Sequence, residues 1–570
     1  MFYNYLFMTL FSRKIIARIS LFVSLLVTCL NSCTQGKSNP IPYSTIQNLF
    51  ILGKVWGFLK YYHPAVANGA YNWDDELFKI IPKIKNCSNT KERNKLLLEW
   101  IKTLGPVDIK KTKKMDSAGV KLYPDLNWLN DTLELGLELS KTLIDVRNAK
   151  RSDHNYYVNI TMIGNPEFTN EKTYDSIANP DISFRLLALY RYWNIINYFY
   201  PNKHLIGRNW DSVLAEFIPK FENDSNNLSY RLTALELIAN IHDTHANIYG
   251  DSTIEKYWGK NAAPLKVKFI ENKAVVYGLM REKEGCAGLD KGDVIITVNN
   301  ISVEDIVKER LHLTPASNYP TQLRIVAGNL FRTNDTILKL TYERGGKTYT
   351  ATIKCLPYNP MWTMNNFQRK DTCFKYLSPD IAYLYPGSIK SEYLPTIAKN
   401  MMKTKGLIID LRCYPSTFIV YSFSKYLLPF SSNFVKFSNG NITTPGLFTY
   451  TKPASVGEDN NTDYYRGKIV ILVNELTQSQ AEFTAMAFRV APNVTVLGST
   501  TAGADGNVSP ILLPGKIRTL ISGIGVYYPD GKETQRVGII PDIVVQPTIN
   551  GILENRDEVL DKALELIRQY

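Results

Sequence analysis

The sequence is poor in the residues that hold metals. Its 570 residues include six histidines, and neither H-E-x-x-H nor C-x-x-C spacing occurs, so neither a zinc-hydrolase helix nor a thiolate metal cluster can be read from it. After Cys33 the cysteines are solitary: Cys87, Cys286, Cys355, Cys373 and Cys413. Five is odd, so a full disulfide framework is not implied. Clustered charge is lacking too. The formal charge of +13 is spread over isolated Lys and Arg, with only short runs such as Lys110-Lys111 and Lys113-Lys114. A nucleic-acid site would gather basic residues and stacking aromatics on one face, so this pattern reads as a solvated surface. No metal, cofactor or nucleic-acid partner is expected. What is present is an ordinary globular composition, 45% hydrophobic and 21% charged, in a chain long enough for roughly three or four domains.

The first 32 residues stand outside the fold. Arg13, Lys14 and Arg18 precede an apolar run from Ile19 to Leu30 that ends in Leu30-Asn31-Ser32-Cys33. The run is shorter than the roughly 20 residues a membrane-spanning helix needs, and its flanks are those of a targeting segment. It resembles a bacterial lipoprotein signal, whose motif ends in the cysteine that becomes lipidated. The resemblance implies that Cys33 is acylated and that the mature chain is held on a membrane of the bacterial cell envelope, on the periplasmic or cell-surface side. Losing the three basic residues lowers the formal charge from +13 to +10. Residues 33–48 read as a tether, with Pro40 and Pro42 blocking early helix.

From Leu49 the pattern is helical and aromatic, and the chain repeats itself. VWGFLKYYHP, ending at Pro64, matches RYWNIINYFYP, ending at Pro201; in the same register Trp73-Asp74 falls on Trp210-Asp211 and Ile81-Pro82-Lys83 on Ile218-Pro219-Lys220. Residues 49–180 are therefore one helical unit with an insertion, and residues 181–261 are a second. The matching positions are packing residues. The copies differ where Leu104-Gly105-Pro106 of the first meets Ile241-His242-Asp243 of the second. His242-Asp243-Thr244-His245 is thus an addition that places titratable groups at a helix end.

Residues 262–357 change to strand patterns, Leu265–Phe269, Ala274–Tyr277 and Val294–Val298. Gly288-Leu289-Asp290-Lys291-Gly292-Asp293-Val294-Ile295, followed by Val298-Asn299, resembles the signature of PDZ domains. The resemblance implies a groove at a strand edge that takes an extended segment or a free C-terminus, with docking around Ala263-Pro264-Leu265. Residues 358–548 alternate strands and helices as an α/β core, and residues 549–570 close the chain with a helix from Asp557 to Arg568.

Within the core, Ile469–Val473 reads as a buried strand, Gln480–Val490 as a helix and Val494–Leu497 as the next strand. The turn between the first two delivers Ser479. A serine there can be a helix cap, since Ser479-Gln480-Ala481-Glu482 fits the S-x-x-E capping box. It can equally be a nucleophile, exposed and backed by free backbone N–H groups.

Four motifs in order resemble the S41 serine peptidases, which include the C-terminal processing proteases and the tricorn core protease. They are Asp243-Thr244-His245, Gly406-Leu407-Ile408-Ile409-Asp410-Leu411-Arg412, the Ser479-Gln480-Ala481-Glu482 turn, and Gly538-Ile539-Ile540-Pro541-Asp542. The resemblance implies a multidomain α/β protein: helical repeats, a PDZ-like β domain and a crotonase/ClpP-like spiral core that cuts polypeptides. Processing proteases of the family use a lysine in a T-x-G-K loop, but here that loop is Thr501-Ala502-Gly503-Ala504. The tricorn-like branch uses a histidine preceded by a hydroxyl residue, which Thr244-His245 matches. By that resemblance Ser479 is the nucleophile, His245 the base and Glu533 the acid that orients it. The oxyanion would be met by the N–H groups of Gln480 and of Ser416, which stands where the family has glycine in Asp410-Leu411-Arg412-Cys413-Tyr414-Pro415-Ser416-Thr417. That loop has a proline and neither expected glycine, so a second reading stays open, a non-catalytic peptide-binding module of the same fold. A crotonase-like acyl-transfer enzyme would want a nucleotide site, and none is recognisable.

Overall fold

The computed structural model describes residues 43–109, 119–177, 179–280, 286–359 and 372–570. Two compact units are distinguished, residues 1–43 and 44–570, and the second carries the fold and the site. Cys33 lies outside the described residues. Among those residues no helix is long and apolar enough to cross a membrane.

The helical region holds two sets of three helices: α1 (Tyr43–Tyr62), α2 (Trp73–Lys85) and α3 (Thr90–Lys102), then α4 (Ile182–Phe199), α5 (Trp210–Asn223) and α6 (Asn227–Ala239). Helix α1 starts at Tyr43, six residues before the expected Leu49, directly after Pro42. Each set is stapled by reciprocal tryptophans. Trp56 Nε1 donates to the Trp73 carbonyl (3.1 Å) and Trp73 Nε1 to the Trp56 carbonyl (3.0 Å). In the second set Trp193 and Trp210 exchange the same two bonds, at 2.7 and 3.0 Å. Buried indole N–H groups need such acceptors. Helices α3 and α6 are capped alike, by Asn89 and Asn226.

The two sets pack on each other through equivalent residues. A methyl group on Gly57 would lie 1.9 Å from the side chain of Asn194, its counterpart, and one on Gly53 would lie 2.6 Å from Tyr190, also its counterpart. One turn on, the rings of Tyr61 and Tyr198 stand 5.7 Å apart. Self-matching contacts at steps of four residues mean that α1 and α4 run side by side in one direction about a local twofold axis. The charges obey the same symmetry. Lys54 pairs with Asp211 (2.7 Å) and its counterpart Arg191 pairs with Asp74, the counterpart of Asp211 (2.9 Å).

A small β domain follows, with β1 (Leu265–Ile270), β2 (Lys273–Leu279), β3 (Val294–Val298), β4 (Ile337–Arg344) and β5 (Lys347–Lys354) in the antiparallel order β5-β4-β3-β2-β1. Strand β1 is an edge. Helix α7 (Tyr319–Asn329) packs against it.

The core sheet runs β6 (Phe374–Ser378), β7 (Ile381–Leu384), β8 (Gly406–Asp410), β9 (Lys468–Val473), β10 (Val494–Gly498) and, at its far side, β13 (Ile543–Val544). All neighbours are parallel except β6 and β7. Strand β9 is central, with Ile471 opposite Ile409 and Val496. Its alternate side chains enter two cores: Ile469, Ile471 and Val473 pack on the side of helix α8 (Gln480–Arg489), and Val470 and Leu472 pack with Val559, Ala563 and Ile567 of helix α9 (Glu558–Gln569). Burial on both faces explains the unbroken apolar run, and it aims the strand's carboxyl end at the crevice where α/β sheets place ligands. A hairpin of β11 (Val508–Leu513) and β12 (Ile517–Ser522) completes the surroundings of the site.

The twofold helical contact gives a direct test. Gly57→Val inserts methyl groups where Asn194 already stands and should destabilise the helical region by about 1–3 kcal/mol. Hydrogen exchange should show lost protection in α1 and α4 with β8 and β9 unchanged; unchanged protection in α1 and α4 would contradict the packing described.

Candidate active site

Ser479 is set by the turn between β9 and α8. The turn is stapled from below: Thr477 Oγ1 donates to the Leu411 carbonyl (2.8 Å) and receives the Asn474 N–H (3.1 Å), while the Ala502 N–H reaches the Thr477 carbonyl (2.9 Å). At the end of this turn Ser479 has φ +55° and ψ −119°. Side-chain caps of other helices, among them Asn89, Asp181, Asn226 and Asn318, have negative φ, as is usual for such caps. A non-glycine residue at positive φ costs about 1–3 kcal/mol and persists only where its surroundings impose it. Ser479 is half-buried.

Glu482 imposes it. Its carboxylate is 1% exposed and accepts the Ser479 N–H (3.1 Å), the Thr501 hydroxyl (2.5 Å), and the N–H groups of Gly503 (2.8 Å) and Ala504 (3.0 Å). Burial pushes its carboxyl above the usual carboxylate range, and these four donors oppose the rise. The Ser479 N–H also meets the Ala504 carbonyl (3.0 Å), and the Ala481 N–H meets the Gln478 carbonyl (3.0 Å). That leaves the Gln480 N–H without an acceptor among the described hydrogen bonds, as an opening residue of a helix should be.

His245 reaches the same loop from the end of the second helical unit. Thr244 docks it: the Thr244 hydroxyl donates to the Ala502 carbonyl (3.1 Å), and its N–H meets the Ser317 hydroxyl (3.0 Å). Thr244 is thus a strut between the helical region, the β domain and the loop after β10. The His245 ring is held by Nδ1, 2.9 Å from the hydroxyl of Ser522 at the end of β12. Ser522 in turn donates to Asp243 Oδ1 (2.9 Å), and the Ser522 N–H meets Asp243 Oδ2 (2.6 Å). With its own hydrogen given to Asp243, Ser522 can only accept from the ring, so Nδ1 carries the proton and Nε2 is the basic nitrogen. Burial depresses the basicity of His245 below the ordinary 6.5; Asp243 opposes this and the Arg324 guanidinium adds to it. Arg324, on α7, binds the Glu475 carbonyl (2.5 Å) and Gln478 Oε1 (2.8 Å) on the nucleophile turn.

Three expected roles are corrected. Glu533 does not orient His245: its Oε1 accepts from Lys121 (2.5 Å) and from His204 Nε2 (2.8 Å), while Ser522 holds the His245 ring. Ser416 has no free N–H to offer an oxyanion, because that N–H is bonded to the Pro386 carbonyl (3.0 Å) and its hydroxyl to the Ile389 carbonyl (2.6 Å). The loop beside Pro264 and Leu265 is no carboxylate nest: the Ala263 N–H goes to Phe331, the Leu265 N–H to Ala263, and Pro264 has none. Conversely, Ser522 carries no sequence signal, being 277 residues from His245 in an ordinary strand. Asp243 has one, its place in the motif added to the second repeat.

A strained serine between a central parallel strand and a helix, on an α/β core, has the geometry of a nucleophile elbow. Residues 380–545 match the model of peptidase family S41. A comparison with curated proteins finds no match. Among solved structures, mature CPAF complexed with lactacystin aligns at 14% identity over 68% of this chain and 98% of that one, with a TM-score of 0.52. Mature CPAF alone aligns at 14% identity over 68% and 97%, with a TM-score of 0.52. A putative peptidase from Parabacteroides merdae aligns at 16% identity over 68% and 97%, with a TM-score of 0.42. The likeness to CPAF is one of fold.

The buried ring makes a measurable prediction. In an NMR titration the His245 imidazole should stay neutral, with the proton on Nδ1, from neutral pH down through 6.5, and take up its second proton only below that. A midpoint at or above 6.5, or a proton on Nε2, would contradict the assigned environment.

Proposed function

We propose that this chain is a serine endopeptidase of the bacterial cell envelope, lipid-anchored through Cys33, in which Ser479 is the nucleophile and His245 the base. The observation that carries this reading is the positive φ of Ser479 at the turn between the central strand β9 and α8. His245 Nε2 takes the Ser479 proton as the hydroxyl attacks a peptide carbonyl, then returns it to the leaving amine. Ser522 and Asp243 keep the ring in the tautomer this requires and stabilise the imidazolium that forms. The Gln480 N–H meets the oxyanion, a contribution of about 3 kcal/mol for such a donor. Residues 262–357 serve as a PDZ-type domain that delivers polypeptide to the crevice. The anchor rests on the basic and apolar run that ends in Cys33.

A specific observation keeps the non-catalytic reading in play: the Ser416 N–H, the expected second oxyanion donor, is occupied by Pro386. Cleavage of an unfolded polypeptide such as reduced casein separates the two. The mature protein should cut it, Ser479→Ala and His245→Ala should each abolish cutting, and Ser522→Ala should lower kcat at least about tenfold with KM little changed. Cutting by Ser479→Ala at the parent rate would sink the assignment. No cutting and no fluorophosphonate labelling of the parent would favour the binding module.

A further inference from the structure

The groove between β1 and α7 is built for a different ligand from the one its sequence signature suggests. Strand β1 pairs only with β2, and its other edge is free among the described residues. That edge and α7 bound a cleft of about 240 Å³, which runs from Val267 past Leu323 to Glu475 and Leu476, three residues short of Ser479. An unpaired edge with a helix beside it is a template for adding one more strand. Capture of a free C-terminus needs in addition a cluster of unpaired N–H groups at the start of the strand. Residues 263–265 offer none: the N–H groups of Ala263 and Leu265 are bonded within the domain, and Pro264 lacks one.

The charge on the strand supplies the rest. Lys266 and Lys268 are two apart, so they lie on one face of β1, both half-buried; Lys268 lines the cleft, and Lys266 lines a smaller neighbouring pocket with Ala263, Phe331 and Tyr358. Neither pairs with an acid among the described residues; the Lys268 ammonium lies over the Tyr277 ring, 4.9 Å from its centre. The basic groups around them are committed elsewhere, Arg324 to the nucleophile turn and Arg332 to Glu255. Glu271 and Glu475 also line the cleft, but Glu271 accepts the Ile549 N–H and neither reaches the lysines.

We propose that this groove takes an internal, extended, acidic segment of a polypeptide, added as a further strand on β1 with carboxylates on Lys266 and Lys268, and does not select a free C-terminus. This deepens the peptidase reading and rests on it for the fate of the bound segment: the chain would run from the groove past Glu475 towards Ser479, so that cleavage falls at a distance from an acidic stretch inside the substrate.

The test measures binding apart from cleavage. The mature chain carrying Ser479→Ala is titrated, by fluorescence anisotropy, into a labelled acidic peptide blocked at both ends, the same peptide with a free C-terminal carboxylate, and a blocked version with Asn and Gln for Asp and Glu. The blocked acidic peptide should bind, the free carboxylate should change affinity less than about twofold, and the neutral peptide should bind at least about tenfold more weakly. Lys268→Glu and Lys266→Glu should each weaken the acidic peptide about tenfold, in proteins whose circular dichroism matches the parent; Lys268→Gln should fall between. Binding that needs the free carboxylate, that ignores acidity, or that survives both charge reversals would overturn the proposal. Fluorophosphonate labelling of the parent at Ser479 reports the peptidase reading separately, so failure of one is not mistaken for failure of the other.

Discussion

The site depends on one buried carboxylate. Glu482 has no exposure of note, yet it is satisfied by four donors from two loops: the Ser479 N–H on one side and the Thr501 hydroxyl, Gly503 N–H and Ala504 N–H on the other. A buried acid without partners would be expensive, and one with four directed donors becomes a geometric anchor. It fixes the nucleophile turn and the loop after β10 relative to each other. Everything else in the site is placed against that pair. Thr244 docks on Ala502 and so brings His245; Arg324 docks on Glu475 and Gln478 and so brings α7. The strain at Ser479 is held by the same carboxylate, whose bond to the Ser479 N–H is also the glutamate half of a capping box.

The helical region has a comparable internal logic. Two copies related by a local twofold share their tryptophan staples, their Asn caps and their crossed ion pairs. Only the second copy ends in His242-Asp243-Thr244-His245. The last turn of the second copy is thus the arm that carries His245. His245 is 8% exposed because that arm is wedged between β12, the β domain and the nucleophile loop. Burial keeps the ring neutral, which is the protonation state a base requires.

Much of this is legible in the residues. Strand Val294–Val298 can be read to the residue, and β9, β10 and α8 to within one residue at each end, because apolar runs and capping residues are local signals. Ser479, Glu482 and the Asp243-Thr244-His245 arm are legible for the same reason, as short motifs. The failures share a cause. Glu533 lies near the right place in sequence, but Lys121, from the insertion in the first helical unit, and His204 take its oxygen. Ser416 stands in the right loop, but its N–H is claimed by Pro386 from a neighbouring strand's end. Ser522 has no motif at all, and only the fold brings it to His245. Hydrogen bonds between distant segments leave no periodicity and no spacing to read.

The central claim is that the strained Ser479 is served by a His245 ring held through Ser522 and Asp243. The most direct measurement is a crystal structure of the protein with a phosphonate bonded to the Ser479 oxygen. The account predicts His245 Nε2 within hydrogen-bonding distance of that oxygen, about 3 Å, Nδ1 still on Ser522, and the Gln480 N–H on a phosphonyl oxygen. A ring turned to Glu533, or standing beyond reach of the adduct, would contradict it.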